Sequence, residues 1–369
     1  MRRVLLVCDT LGNGGAQRQM ALLASNLPDD YEVRVFSLDD GPYADVLRGF
    51  GLDLQVDRRR SRYDISAVSR LRKELIRWRP DVVHSWGWMS SAASIVPCKL
   101  RGIPLIDGTI RSGRPPERWT RTNRFLISHA DAVIANSEAG AAAYGSLKPP
   151  VFVIHNGFDA GRVPETRGAP VEPRNAVVEA VMAARMVPEK DFDTLIDAAE
   201  LMRGEGRAIR FTLMGGGPQR ERLSARCAGL ADAGFVRIMD CGLEVMPVLA
   251  TADMGVLLTD PRHHAEGLSN SIMEYMACGL PVVCTDSGGN REIVLDARTG
   301  LVVPPRDPVA VVSALRRLLD EPETARRFGE AGRERIRKEF STRAMVEKTV
   351  AAYESVIRRG NPESSSPDG

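Results

Sequence analysis

The sequence predicts an α/β protein built from two doubly wound units in tandem. Three observations carry that reading. Short apolar runs alternate with amphipathic stretches from Arg2 to Asp286, the pattern of parallel strands covered by helices on both faces. The alternation stops once, at "VPETRGAPVEPR" (163–174), which is Pro-rich, lacks periodicity and reads as a linker. The chain has 369 residues, enough for two domains of ordinary size.

In the first half, "RRVLLVCD" (2–9) is an apolar strand and "GGAQRQMALLASNL" (14–27) an amphipathic helix. "YEVRVFSL" (31–38) is a strand, "ISAVSRLRKELIRWR" (65–79) a helix and "PDVVHSW" (80–86) a strand. "IPLIDGTI" (103–110), "DAVIANS" (131–137) and "VFVIHNG" (151–157) complete a first domain over 1–165. In the second, strands at 176–185, 209–217, 236–242, 254–260 and 281–286 alternate with helical stretches at 191–202, 220–230 and 245–252, giving a domain over 175–340. Residues 326–357 read as helix, and the tail 360–369, "GNPESSSPDG", reads as disordered. In such folds ligands bind at the carboxyl ends of strands, and the cleft between two units is the default site.

Composition excludes several classes. The chain is 43% hydrophobic and 27% charged, as a globular protein is, but only 5% aromatic, which argues against a base-stacking nucleic-acid surface. The net charge of +2 implies no strong overall field, although the first half is mildly basic and the second mildly acidic. Six cysteines include no C-x-x-C pair and read as buried, reduced thiols of a cytoplasmic protein. The apolar run before Asp9 is too short for a signal-peptide core, and no apolar run is long enough to span a membrane.

The chemistry is concentrated in "EGLSNSIMEYMACGLPVV" (266–283). Glu266 lies in a loop, Glu274 within the helix that follows, and Gly267, Leu268, Ser269 and Asn270 form the turn between them. The free N–H groups of a helix start suit a phosphate. Carboxylates on either side of that phosphate would accept hydrogen bonds from hydroxyls, which fits a sugar–diphosphate–ribose ligand. A local rival exists: Ser271-x-x-Glu274 is a capping-box pattern and Gly279 with Pro281 an ordinary helix stop. "AARMVPEKDF" adds Arg185 and Lys190 at the end of a strand, two cations suited to clamp a diphosphate. "DTLGNGGAQRQM" places Gly12, Gly14 and Gly15 between the first strand and first helix, where backbone approaches a ligand closely.

Three other patterns carry less. Asp191-Phe192-Asp193 spells D-x-D, but Asp193 beside Thr194 reads as a helix cap. His263, His264 and Glu266 stand too close together in sequence to converge on one metal ion, and no fourth partner is evident. Gly12-x-Gly14 with Asp39 half-matches a dinucleotide fingerprint, with Gln17 where its third glycine belongs. The basic stretches at 58–62 and 111–124, the latter with Trp119 and Phe125, suit an anionic membrane face or a lipid-diphosphate acceptor, and equally an ordinary solvated face.

Taken together, "EGLSNSIMEYMACGLPVVCTDSGGNREIV", "GGAQRQ", "DVVHSW", "VIHNGFD", "AARMVPEKDFDTLI" and "TLMGGGPQRERL" resemble the retaining glycosyltransferases of family 4, with their E-x7-E signature. The resemblance covers nearly the whole chain. It implies the GT-B fold: two Rossmann-like domains facing a central cleft, with a C-terminal helix (341–359) crossing back to the first. By position, Arg185 and Lys190 would hold the donor diphosphate, Glu266 the hydroxyls of the transferred sugar and Glu274 the ribose. Backbone at Gly267, Leu268, Ser269 and Asn270 would meet phosphates and sugar, Gly14 and Gly15 would approach the donor, and Cys241 and Gly242, after Asp240, would border the base. Where the family often has a histidine, this chain has Ile110-Arg111, and Arg111 is placed to bind the donor sugar or an anionic acceptor. His84, earlier in the chain, reads as a strand-end core or wall residue.

The resemblance implies transfer of a sugar from a UDP- or GDP-sugar to a glycan or lipid-linked acceptor, with retention, in cell-surface polysaccharide or glycolipid synthesis. No cofactor and no metal are expected, and no nucleic acid partner. The expected location is the cytoplasm, peripheral on the inner face of the plasma membrane if the basic patches bind anionic lipid. The alternatives are a sugar-nucleotide epimerase of the same fold and a non-catalytic binding subunit.

Overall fold

The computed structural model describes residues 1–59, 64, 66–115, 121–164, 177–240 and 244–360. The chain forms two compact units. The first consists of Met1–Arg111, Pro115–Gly157 and the chain from Thr342 onward; the second of Ser112–Arg114 and Phe158–Ser341.

The first unit is a parallel sheet of strands β1 (Arg2–Cys8), β2 (Tyr31–Ser37), β3 (Asp53–Val56), β4 (Val82–Ser85), β5 (Leu105–Ile110), β6 (Ala132–Ala135) and β7 (Val151–Val153). Their spatial order is β3-β2-β1-β4-β5-β6-β7. Helices α1 (Gly15–Ala24), α2 (Tyr43–Gly49), α3 (Ser66–Trp78), α4 (Trp88–Lys99), α5 (Arg121–Ser128) and α6 (Glu138–Ala143) connect them. Central strands are apolar along their length because both faces are covered: Val4 to Val7, Val82 and Val83 are all buried. Leu5, Val7, Phe36, Leu71, Leu75 and Trp78 belong to one core cluster on this sheet.

The second unit repeats the plan with β8 (Val178–Ala183), β9 (Ile209–Met214), β10 (Val236–Met239), β11 (Met254–Leu257), β12 (Val282–Thr285) and β13 (Gly300–Val303), in the order β10-β9-β8-β11-β12-β13. Its helices are α7 (Phe192–Gly204), α8 (Arg220–Arg226), α9 (Ala228–Asp232), α10 (Met246–Leu249), α11 (Asn270–Ala277), α12 (Asn290–Ile293), α13 (Pro308–Asp320) and α14 (Pro322–Glu339). Each sheet therefore reverses its strand order once, between β1 and β4 and between β8 and β11. That reversal is where a doubly wound sheet opens a crevice for ligand.

The helical stretch over 326–357 divides where the C-terminal helix (341–359) was expected to begin: α14 ends at Glu339, and α15 (Thr342–Gly360) belongs to the first unit. The chain leaves helical geometry at Phe340 (φ −121°, ψ 29°). The Phe340 carbonyl instead accepts from the Phe158 amide at 2.8 Å, and Ser341 bridges to Phe158. Hydrophobic period carries through the break because each helix buries one face. The only local sign was Ser341-Thr342, residues favoured at helix starts. α15 packs against α1 and β4, with Ala352, Tyr353, Val356 and Ile357 buried.

Two smaller expectations shift. The helix expected over 220–230 is broken at Cys227 into α8 and α9. The cap at the D-x-D is Asp191, whose carboxylate accepts from the Thr194 amide (3.1 Å) and hydroxyl (2.7 Å); Asp193 instead pairs with Arg222 and Arg226. Cys8, Cys98, Cys227, Cys278 and Cys284 are buried free thiols, and burial pushes Cys8 and Cys98 up to about 12. No helix among the described residues is long and apolar enough to cross a membrane. Most of the expected linker and the tail beyond 360 lie outside the described residues.

Candidate active site

The residues singled out in the second half gather at that unit's strand-order reversal. Arg185 and Lys190 follow β8; Glu266 follows β11, its neighbour in the sheet. The segment after β8 is fixed from two sides. The Ala184 amide donates to Met214 O (3.0 Å) and the Met186 amide to Gly216 O (2.8 Å), tying it to the glycine turn after β9. Gly215 (φ +146°) and Gly217 (φ +147°) permit that approach, since a Cβ would stand 2.0 Å from Ala184 O and 2.5 Å from Met186 O respectively. On the other side, the Asp191 amide donates to Leu258 O (3.1 Å) and the Asp260 amide to Glu189 O (3.1 Å).

Lys190 thereby reaches Glu266. Its Nζ forms an ion pair with Glu266 Oε1, and the Thr259 hydroxyl donates to the same oxygen at 2.8 Å. Glu266 Oε2 has no partner among the described residues. The carboxylate is 6% exposed. Burial pushes its pKa up, but the charges of Lys190 and His264, with the hydrogen bonds from Lys190 and Thr259, hold it below the usual carboxylate range. His264 is lowered, chiefly by burial. The main chain of Glu266 is pinned as firmly: its carbonyl accepts from the Gly113 and Gly289 amides, both at 3.0 Å. Arg185 differs, since its side chain is 69% exposed and its ion-pair partner among the described residues is Glu189, at 3.7 Å.

The turn that follows starts α11. Ser269 is the N-cap, its hydroxyl accepting from the Ile272 amide at 3.4 Å. The capping box read at Ser271 is not the arrangement found: the Ser271 hydroxyl donates to Ala183 O at 2.7 Å, and the Ala183 amide donates to the Tyr275 hydroxyl at 2.6 Å. These bonds fasten α11 to the end of β8. Gly267, Leu268 and Ser269 are buried and Asn270 half-buried. Glu274 is 2% exposed, and its Oε1 pairs with Arg162 Nη1 at 3.1 Å.

Arg162 and Thr259 are site residues that the sequence reading missed. No spacing rule links Arg162, in a 3-10 turn (Ala160–Arg162), to a glutamate 112 positions later. Asp240 follows β10, with Arg220 at 3.9 Å, whereas Cys241 and Gly242 lie outside the described residues.

The first-unit residues stand separately. Gly14 is the N-cap of α1 in extended conformation and Gly15 its first residue; neither has positive φ, so local backbone geometry does not demand glycine there. Arg111 follows β5 and stacks on Trp86, its Cζ 4.0 Å from the ring centroid. His84 is 1% exposed, with Nδ1 2.8 Å from the Tyr353 hydroxyl. No cluster of His, Cys, Asp and Glu among the described residues is arranged to hold a metal ion.

Comparison with known proteins matches this architecture. A family model for "Glycosyltransferase Family 4" matches residues 13–162, and one for "Glycosyl transferases group 1" matches residues 178–321. Glycogen synthase of Mycobacterium tuberculosis is 28% identical over 294 residues, covering 75% of this chain and 69% of that protein. The lipopolysaccharide core biosynthesis glycosyltransferase LpsE of Rhizobium meliloti is 28% identical over 274 residues, covering 73% and 75%. Among solved structures, Anabaena HepE in complex with UDP-glucose superposes with a TM-score of 0.83 at 18% identity, over 96% of this chain and 100% of that one. The protein is an enzyme of the glycosyltransferase class. It belongs to family 4 of those enzymes and has the GT-B fold.

Proposed function

We propose that the enzyme transfers a sugar from a UDP-sugar, with a GDP-sugar as the alternative, to a hydroxyl of a glycan or lipid-linked acceptor, with retention at the anomeric carbon. The observation that carries this is Glu266: a buried, ionised carboxylate at the strand-order reversal, held through one oxygen by Lys190 and Thr259 and open at the other. The open oxygen accepts hydrogen bonds from hydroxyls of the transferred sugar. Lys190 and the exposed Arg185 offset charge that develops on the departing diphosphate. The amides at Gly267–Asn270 bind phosphate at the start of α11. Glu274 receives ribose hydroxyls in competition with Arg162. Cys241 and Gly242 border the base, and Gly14 and Gly15 approach the donor. This scheme uses no metal and no protein nucleophile: the acceptor hydroxyl attacks the anomeric carbon from the face that the diphosphate leaves, the bond from that carbon to the diphosphate breaks, and the hydroxyl proton passes to the departing diphosphate oxygen. The UDP-glucose in the HepE complex supports the donor class, and the naming of LpsE supports a role in cell-surface glycan synthesis.

The test is a thermal-shift panel of UDP, GDP, ADP and their sugars, with and without chelator, on wild type and Glu274→Ala. Stabilisation by one diphosphate, unaffected by chelator and lost in the variant, supports the reading; a hundredfold excess over Kd is worth about 2.7 kcal/mol. No shift with any nucleotide sends the function to a binding subunit. Product formed without acceptor, with the sugar epimerised, sends it to the epimerase alternative. The anomer released, read by NMR, decides retention.

We also infer a peripheral membrane location. α4 and α5 pack together and expose Val96, Leu100 and Phe125, with Arg121 and Arg124 exposed beside Phe125. Binding to anionic liposomes that weakens with salt is expected; equal binding to neutral liposomes refutes it.

A further inference from the structure

We propose that the first unit holds a subsite for one anionic group, a carboxylate or a phosphate, carried by the sugar substrate, at the carboxyl ends of β4 and β5. The proposal rests on the transferase reading and adds the charge of the substrate to it.

Three side chains meet there. Trp86 follows β4, Arg111 follows β5, and His84 lies within β4, its ring centroid 4.8 Å from that of Trp86. Arg111 donates from Nε to Gly108 O at 3.0 Å. No carboxylate pairs with the rest of its guanidinium among the described residues. The His84 tautomer follows from its partner. The Tyr353 hydroxyl, 2.8 Å from Nδ1, finds no other acceptor among the described residues, so its O–H donates to Nδ1. Burial, then the Arg111 charge, hold His84 well below its usual pKa, so the ring is neutral and carries its proton on Nε2. That nitrogen and the Trp86 indole nitrogen are both buried and have no hydrogen-bond partner among the described residues.

The cluster therefore presents an imidazole N–H, an indole N–H and a guanidinium, all donors with no acceptor among them. Buried donors left unpaired are rare and costly, and a charged one costs more. A neutral hydroxyl can accept from such a group but leaves the cation uncompensated; a carboxylate or phosphate answers both. Gly108 leaves no side chain of its own against that imidazole nitrogen. A Cβ there would stand 2.7 Å from His84 Nε2. The neighbouring donors at the start of α4 are already satisfied, because Asp9 accepts from the Ser90 amide (2.7 Å) and the Met89 amide (3.1 Å). Among the described residues, Arg111 and its neighbours are left without an anion.

The experiment uses the full chain saturated with UDP and measures Kd by ligand-observed NMR for methyl glucuronide, glucose 6-phosphate and methyl glucoside. We expect at least one anionic compound to bind about tenfold more tightly than the neutral glycoside, and which one it is assigns carboxylate or phosphate. Arg111→Gln should reduce that compound to the neutral level. Trp86→Phe, which keeps the ring beneath the guanidinium and deletes the N–H, should weaken it severalfold. Equal binding of all three compounds overturns the proposal, as does a preference that survives Arg111→Gln. If that variant fails to fold, the wild-type panel and Trp86→Phe decide. UDP binding with no anionic preference sinks this inference alone, whereas absence of UDP binding sinks the donor reading beneath it.

Discussion

Lys190 is the chief charge that keeps the buried Glu266 ionised. Glu266→Gln leaves Lys190 without its partner and should cost about 3 kcal/mol of stability, read by denaturant unfolding. If Glu266 also holds the sugar, kcat should fall by on the order of a hundredfold while UDP still binds. The sign of the pH effect follows from the lowered carboxyl. A carboxyl with a depressed folded pKa adds stability that is present above its unfolded value of about 4.3 and is lost as pH falls through the folded value. Acid unfolding below that point should therefore be less steep in Glu266→Gln than in wild type; identical profiles would show that the pair is not ionised. Glu274 makes a different prediction. If it reads ribose, 2′,3′-dideoxy UDP should bind wild type about tenfold more weakly than UDP, and the gap should vanish in Glu274→Ala.

At the scale of elements, the site is held by close backbone approaches. Gly288 (φ +53°) has no room for a side chain, since a Cβ would stand 1.9 Å from Glu266 O. Gly288→Ala should cost about 1–2 kcal/mol from the left-handed backbone alone. It should also cost activity beyond what that loss explains, because the clash displaces the Glu266 carbonyl; full activity in a folded variant would show that Glu266 tolerates movement. The strands were legible in the sequence because buried parallel strands are apolar throughout, as in "RRVLLVC". The edge strands β3 and β13 and helix α4 were not read: the strands are short, and Pro97 interrupts the helical pattern of α4. Within the site, Glu266, Lys190 and Glu274 were legible because each sits in a short local motif. Arg162, Thr259 and the Ser112–Arg114 segment were not, because only the folded chain brings them to their partners. Trp86 and His84 escaped because a buried ring at a strand end looks like core until its unpaired nitrogen is seen.

At the scale of the molecule, each unit has its own sheet and its own buried core. Calorimetry should resolve two transitions rather than one two-state event, and UDP should raise the transition of the second unit more than that of the first. A single transition shifted as a whole would show that the units unfold together. The break at Phe340 bears on how the chain comes into being. Synthesis runs from the amino end, and domains generally fold as they emerge. The second unit is complete once Ser341 has been made. The first, though made earlier, still lacks α15, and with it the Tyr353 hydroxyl on His84, the hydroxyl of Tyr31 paired with Glu354 at 2.9 Å, and the Met345 sulfur against the Gly157 amide at 3.3 Å. The half of the protein that is born first is therefore finished last, so a ribosome that stalls within the last twenty or so codons before Gly360 leaves its earliest product, not its latest, unfinished.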